Sequence, residues 1–239
     1  MIIGKAKTSA GVRIYAIGDV HGCVKQLRQL MKLIEKDLAV SPVEKHKIIF
    51  LGDYVDRGPQ NRQVIDVLIG LKKSSHKCIF LRGNHDDRFA GFMKLPEQAA
   101  TGFLRWGGIA TLRDYGIVQK PGESVERLSV RLSEAIPKLH LRFFEKLKYF
   151  HQDGDYFFCH AGVRPGVSLA KQQAQDLMWI RTDFLAHKKP FEKVIVHGHT
   201  PVGVPEIEQN RINVDTRCYD SGVLTAVVLE GKQHRILNT

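Results

Sequence analysis

At 239 residues, 43% of them hydrophobic, the chain is long enough to bury a sizeable core in one unit. Its 36 Lys and Arg against 25 Asp and Glu give a net charge of +11, which favours anionic partners such as phosphoproteins, nucleotides or nucleic acid. The basic residues are scattered over helix faces (Lys25, Arg28, Lys32, Lys36), without a basic arm or interleaved aromatics, so they form no clear nucleic-acid binding motif. Cys23, Cys78, Cys159 and Cys218 lie far apart, which suits reduced thiols in a cytoplasmic protein rather than a disulfide framework. None opens a Cys-x5-Arg loop, because Gln29, Asn84, Pro165 and Leu224 stand six residues on; this argues against a cysteine-nucleophile phosphatase. There is no signal-peptide core and no apolar run near the roughly 20 residues of a bilayer span, so no membrane partner is expected.

Along the chain, Arg13 to Val20 predicts a buried strand, and Leu27, Leu30, Met31, Ile34 and Leu38 form a helical stripe after it. Ile48 to Leu51 predicts a second strand, Val64, Val67, Leu68 and Leu71 a second amphipathic helix, and Cys78 to Leu81 a third strand. This β-α-β-α-β run implies parallel strands joined by right-handed crossovers. Their carboxyl ends then share one sheet edge, where ligand sites collect. Residues from about 87 to 150 read as a mostly helical insertion that caps the site, broken at Gly107-Gly108 and Pro121-Gly122. Beyond it, Tyr156 to Cys159, Val194 to Val196, Arg211 to Val214 and Leu224 to Leu229 predict the short strands of a second, mixed sheet. Without repeat, low-complexity stretch or linker, residues 1–239 read as a single domain.

Five blocks carry the chemistry: Gly18-Asp19-Val20-His21-Gly22, Gly52-Asp53-Tyr54-Val55-Asp56-Arg57-Gly58, Arg82-Gly83-Asn84-His85-Asp86, His160-Ala161-Gly162-Val163 and His197-Gly198-His199-Thr200. Each sets Asp, Asn or His, which bind hard or borderline cations, beside glycine, which lets the backbone turn sharply and approach closely. Asp19 and His21 can bite one cation, and Asp53 can bridge two through one carboxylate. Asn84, His160 and His199 supply neutral donors for the second ion. Spacing alone does not choose between His197 and His199. Asp, His and Asn without thiolate suit manganese, iron(II) or zinc better than a structural zinc site. Two cations about 3.5–4 Å apart lower the pKa of a bridging water and clamp an in-line phosphoryl displacement.

These blocks resemble the signature of the phosphoprotein phosphatases within the calcineurin-like metallophosphoesterase superfamily, over nearly the whole chain from about Arg13. The resemblance implies an α/β fold, an αββα sandwich of two mixed sheets with a helical cap insertion, and two divalent metal ions, manganese first. By motif, Asp19, His21 and Asp53 match the ligands of the first metal, and Asp53, Asn84, His160 and His199 those of the second; the match selects His199 over His197. Water between the metals is the implied nucleophile. His85 matches the general acid and Asp56 the group that orients its imidazole. Arg57, Arg82 and, less specifically, Arg181 in Trp179-Ile180-Arg181 match phosphate-gripping arginines, whose planar fork suits two phosphoryl oxygens. The third block reads NHD rather than NHE. Asn213-Val214-Asp215-Thr216 with Asp220-Ser221-Gly222 resembles the small bacterial and phage enzymes, so eukaryotic regulatory features are not carried over.

The expected substrate is a phosphorylated protein or peptide carrying phosphoserine, phosphothreonine or phosphotyrosine. The alternatives are a symmetrical dinucleoside-polyphosphate hydrolase, which shares the scaffold and NHD, and a metal-dependent phosphodiesterase. The dinucleotide enzymes usually lack the Asp that pairs with the catalytic His, and Asp56 is present here, which places the phosphatase first.

Overall fold

A computed structural model describes residues Met1–Thr239. In chain order the elements begin β1 (Val12–Ile17), α1 (Val24–Val40), β2 (Lys45–Phe50), α2 (Asn61–Lys72), β3 (Cys78–Phe80) and α3 (Asn84–Lys94). The insertion continues as α4 (Pro96–Phe103), a π-helical turn at Leu104–Gly108, α5 (Ile109–Asp114), α6 (Val125–Ala135) and α7 (Lys138–Glu145). There follow β4 (Phe150–Asp153), β5 (Tyr156–Cys159), α8 (Ala174–Trp179), α9 (Thr182–Ala186) and β6 (Val194–His197). The chain closes with β7 (Glu206–Ile207), β8 (Arg211–Asn213), α10 (Cys218–Ser221), β9 (Thr225–Glu230) and β10 (Gln233–Asn238).

Two five-stranded sheets result, in the orders β10-β9-β1-β2-β3 and β4-β5-β6-β8-β7. Each has a parallel core, β1-β2-β3 in one and β5-β6-β8 in the other; β9 and β10 extend the first antiparallel beyond β1, and antiparallel β4 and β7 form both edges of the second. The strands' two-residue side-chain period builds the layers. Ile14, Ala16, Ile49 and Leu51 point between the sheets and meet Tyr156, Phe158, Val194, Val196 and Ile212. Tyr15, Ile17, Ile48 and Phe50 point outward, under Leu27, Leu30 and Ile34 of α1 and Val64, Ile65 and Leu68 of α2. On the other outer face Phe157, Cys159 and Ile195 pack with Leu177, Ile180 and Phe184. This is the αββα sandwich. The insertion shares the larger outer core, where Phe89 meets Phe103, Tyr115 and Phe144 at centroid distances of 6.0, 6.2 and 4.8 Å.

One assignment changes. The strand expected at Leu224 to Leu229 in the second sheet is β9, which pairs antiparallel with β1 of the first sheet, Arg13 opposite Glu230. Its apolar run suits burial in either sheet, and only the long-range pairing selects one. The short edge strands β4, β7 and β10 were not legible either, since their residues are largely exposed and carry no buried alternation.

Candidate dinuclear active site

Six parallel strands, three from each sheet, end on one side of the sandwich. β1 runs into Asp19 and His21, β2 into Asp53, β3 into Asn84 and His85, β5 into His160, β6 into His199 and β8 into Asp215. Five of the polar loop residues, His21, Asp53, Asp56, Arg57 and His199, hold left-handed backbone with φ of 41, 53, 73, 65 and 65°. Such conformations cost of order 1–3 kcal/mol each and persist where the surroundings over-determine them. Asp86 is one such constraint: its carboxylate accepts from the backbone N–H groups of Gly83, Asp53 and Tyr54 at 2.9, 2.9 and 3.0 Å. Burial and the charge of Asp53 push its pKa up to about 7, against the pull of those donors. The shorter side chain of the NHD block thus ties two motif loops together. Glycine is required where the loops meet, since a Cβ on Gly83 would lie 2.1 Å from Asp53 Oδ1 and one on Gly198 2.2 Å from Asp19 Oδ1.

All six expected ligands lie in one buried cluster. Donor atoms of His21, Asp53 and His85 lie within 4.8 Å of one another, as do those of Asp53, His160 and His199, so Asp53 belongs to both groups. Its Oδ2 is 3.4 Å from Nε2 of both His21 and His160. Burial would raise the pKa of Asp53, yet His160 and His85 hold it well below the usual range. Burial likewise opposes a charged His160, but Asp53 and Asp19 carry its pKa up to about 9. Asn84 Oδ1 faces His160 Nε2 at 2.9 Å and His199 Nδ1 at 2.7 Å. Asp19 accepts only from the backbone N–H of His199, at 3.2 Å. Burial, and then the neighbouring Asp215, push its carboxyl well above the usual range.

The donor set fits a pair of divalent cations. His21 turns Nδ1 to the carbonyl of Val55 at 2.7 Å, and His160 turns Nδ1 to that of Leu51 at 3.0 Å. A metal-binding imidazole typically donates one ring N–H to such an acceptor and presents the other nitrogen. Burial pulls the His199 pKa down to about 2, which favours a neutral imidazole; its Nδ1 faces Asn84 Oδ1, and its buried Nε2 has no partner. Carboxylates crowded without Lys or Arg contacts, such as Asp19, gain most from a cation. His197 is excluded from this convergence. It ends β6, bonds Gly198 O through Nδ1 at 3.0 Å and stacks edge-on with Phe184 at 4.9 Å.

Beside the cluster, His85 Nδ1 donates to Asp56 Oδ2 at 2.7 Å, and Arg57 Nη2 lies 3.2 Å from His85 Nε2. Thr111 of α5 fixes Asp56 from behind: its hydroxyl donates to Oδ1 at 2.6 Å and accepts from the Asp56 N–H at 2.9 Å. Thr111→Val is therefore expected to leave two buried groups unpaired, lowering stability by about 1–3 kcal/mol in chemical denaturation and lowering kcat with it. Arg57 donates to the hydroxyl of Tyr219 at 2.7 Å, and its backbone N–H donates to Gly107 O at 3.2 Å. Arg181 Nη2 donates to the carbonyl of His199 at 3.2 Å.

Arg82 departs from its expected place. It donates to Phe144 O at 2.6 Å and Asp87 Oδ1 at 3.3 Å, lining a groove with Ala90, Met93 and Leu141 rather than joining Arg57 and Arg181. Following a strand directly, its side chain alternates away from its neighbours. Four residues were given no role by the sequence reading: Thr111, Asp215, Tyr219 and Arg88. Asp215 has the same strand-end position as Asp53, and Arg88 stands one helical turn past His85, so both left a signal. Thr111 and Tyr219 left none, because long-range packing brings them to the site.

This fold and its two groups of donor side chains sharing one aspartate are those of a calcineurin-like phosphoesterase. The pattern of that family matches residues 12–227, and the chain belongs to it. It is a metallophosphoesterase, a hydrolase whose family implies a dinuclear divalent metal centre. Among curated proteins, it is 30% identical over 230 residues to the asymmetrical bis(5'-nucleosyl)-tetraphosphatase PrpE of Anoxybacillus flavithermus, covering 88% of each chain. A candidate diadenosine tetraphosphatase of known structure superposes with a TM-score of 0.64 at 19% identity, covering 98% of both chains. The cold-active protein-tyrosine phosphatase of a Shewanella species superposes with a TM-score of 0.56 at 14% identity, over 97% of this chain and 83% of that one. At these identities the two structures speak for the fold alone. No helix is long and apolar enough to cross a membrane, and all four cysteines are free.

Proposed function

We propose that the protein hydrolyses dinucleoside tetraphosphates, dividing them unequally into a nucleoside monophosphate and a nucleoside triphosphate. The observation that carries this reading is the similarity, along 88% of both chains, to a relative bearing that name. It reverses the order expected from Asp56, which put a phosphoprotein phosphatase first, and it favours unequal over symmetrical division. Asp19, His21, Asp53, Asn84, His160 and His199 would hold the two ions, which would supply Lewis-acid activation of water; manganese is the first expectation, then iron or zinc. A water oxygen forms the new bond to one phosphorus while a bridging P–O bond breaks in line with it. Arg57 and Arg181 grip the attacked phosphoryl group, and His85, oriented by Asp56, gives its proton to the departing oxygen.

A second reading, phosphomonoester hydrolysis of phosphopeptides, is favoured by one observation. The buried His85–Asp56 pair at 2.7 Å suits an alkoxide leaving group, which must be protonated, more than a phosphate that leaves as a stable anion. The test measures kcat/KM for diadenosine tetraphosphate and for a phosphoserine peptide side by side, with the nucleotide products separated. AMP and ATP in equal amounts, formed with the higher kcat/KM, are expected. Two ADP would overturn unequal division, and preference for the peptide would restore the phosphatase reading.

A further inference from the structure

We propose that Arg88, set against the only two tryptophans of the chain beside the metal centre, binds the substrate phosphates that lie beyond the one attacked. This deepens the tetraphosphate reading and rests on it for the identity of the substrate.

Three observations lead there. Arg88 lies on α3 three residues after His85 and four after Asn84, spacings that put it on the same helix face as both. Its guanidinium carbon stands 4.4 Å from the centre of the Trp179 ring and 5.9 Å from that of Trp106. Each tryptophan belongs to a segment that neighbours an arginine expected to grip phosphate. Trp179 ends α8 two residues before Arg181, and Trp106 lies in the π-helical turn whose Gly107 carbonyl accepts from Arg57. The two rings against Arg88 thus belong to segments that neighbour Arg181 and Arg57.

Second, Arg88 is half-buried yet makes no hydrogen bond or ion pair within the chain, whereas Arg57, Arg82 and Arg181 each hold a protein acceptor. A guanidinium carries five N–H donors and no acceptor, so its donors are free for an incoming anion. Cation–π contact with a tryptophan orients the plane without consuming those donors. Gly102 supports the arrangement from behind, since a Cβ there would come within 3.3 Å of Arg88 Nε.

Third, Arg57 and Arg181 are close enough to Arg88 for their charges to act on it. Burial first, and then the cations Arg57 and Arg181, lower the Arg88 pKa, while Asp53 and Asp56 hold it up. With Arg57 and Arg181 assigned to the attacked phosphoryl group, a further guanidinium near them that is tied to no protein acceptor is available to the phosphates that follow. Trp106 is 50% exposed, with the Arg88 and Arg105 guanidinium carbons 5.9 and 5.7 Å from its ring centre, and its exposed part can stack with a nucleobase at the end of the polyphosphate.

The two tryptophans flanking Arg88 are the only ones in the chain, so tryptophan fluorescence reports on this subsite directly. The manganese-loaded wild type and Arg88→Gln are titrated with phosphate, pyrophosphate and tripolyphosphate at fixed free metal. Affinity of the wild type is expected to rise with chain length. Arg88→Gln should lose about tenfold or more for tripolyphosphate and less than about threefold for phosphate. Arg88→Lys, which keeps the charge and loses the fork, should lose an intermediate factor confined to the longer anions, and it carries the test if the Gln variant is unstable. Equal losses on all three anions, or none, would overturn the proposal. The proposed function fails on a different result: a wild type that binds tripolyphosphate through Arg88 but does not cleave diadenosine tetraphosphate.

Discussion

His85→Asn is expected to fold, to retain its metal, and to lose about 10²–10⁴-fold in kcat, the range of a positioned general acid. The side chain is buried between Asp56 and Arg57, and asparagine can keep a hydrogen bond to Asp56 while losing the proton-transfer nitrogen. The loss should depend on the leaving group. It should be largest for a phosphoserine peptide, whose alkoxide needs a proton, smaller for diadenosine tetraphosphate, and smallest for p-nitrophenyl phosphate. Measuring kcat on all three substrates separates acid catalysis from binding. A loss of the same size on each would mean that His85 positions the phosphoryl group rather than protonating what departs. Because His85 also lies within 4.8 Å of His21 and Asp53 donors, metal content must be measured on the same sample.

Asp53→Asn is expected to reduce both metal content and turnover more than a change at His21 or at His199. Asp53 is the only residue shared by the two donor groups. Its two oxygens divide the work: Oδ1 accepts the backbone N–H of His85 at 2.9 Å, and Oδ2 faces His21 and His160. Asparagine removes the negative charge and offers a poorer donor to both ions at once, whereas a histidine variant weakens one. Metal per chain by mass spectrometry, with kcat on p-nitrophenyl phosphate, checks it. Two full equivalents retained with near-normal turnover would refute a bridging role. His160 offers an independent readout by NMR titration: Asp53 is the foremost of the groups that hold its pKa up, so in the metal-free variant that pKa should fall.

Local sequence determined a large part of this molecule. Apolar runs of four to six residues ending in Gly-Asp, Gly-Asn or His fixed the central strands and the edge on which the site forms, because strand period and turn chemistry act over a few residues. The ligand types followed from the same blocks, and all six expected ligands converge. Tertiary structure decided what depends on distant partners. β9 joined the first sheet because its partner is β1, more than two hundred residues earlier. His199 rather than His197 faces Asn84 because the turn after β6 gives His199 a φ of 65° and leaves His197 packed on Phe184. Arg82, read from its motif as a phosphate ligand, is drawn off by the carbonyl of Phe144 on α7. Thr111 and Arg88 gained their places from the helical insertion, which closes over the strand ends and lays Trp106 beside the guanidinium. Short-range pattern tells which side chains stand at the strand tips; only the packing of remote segments tells which way each one turns.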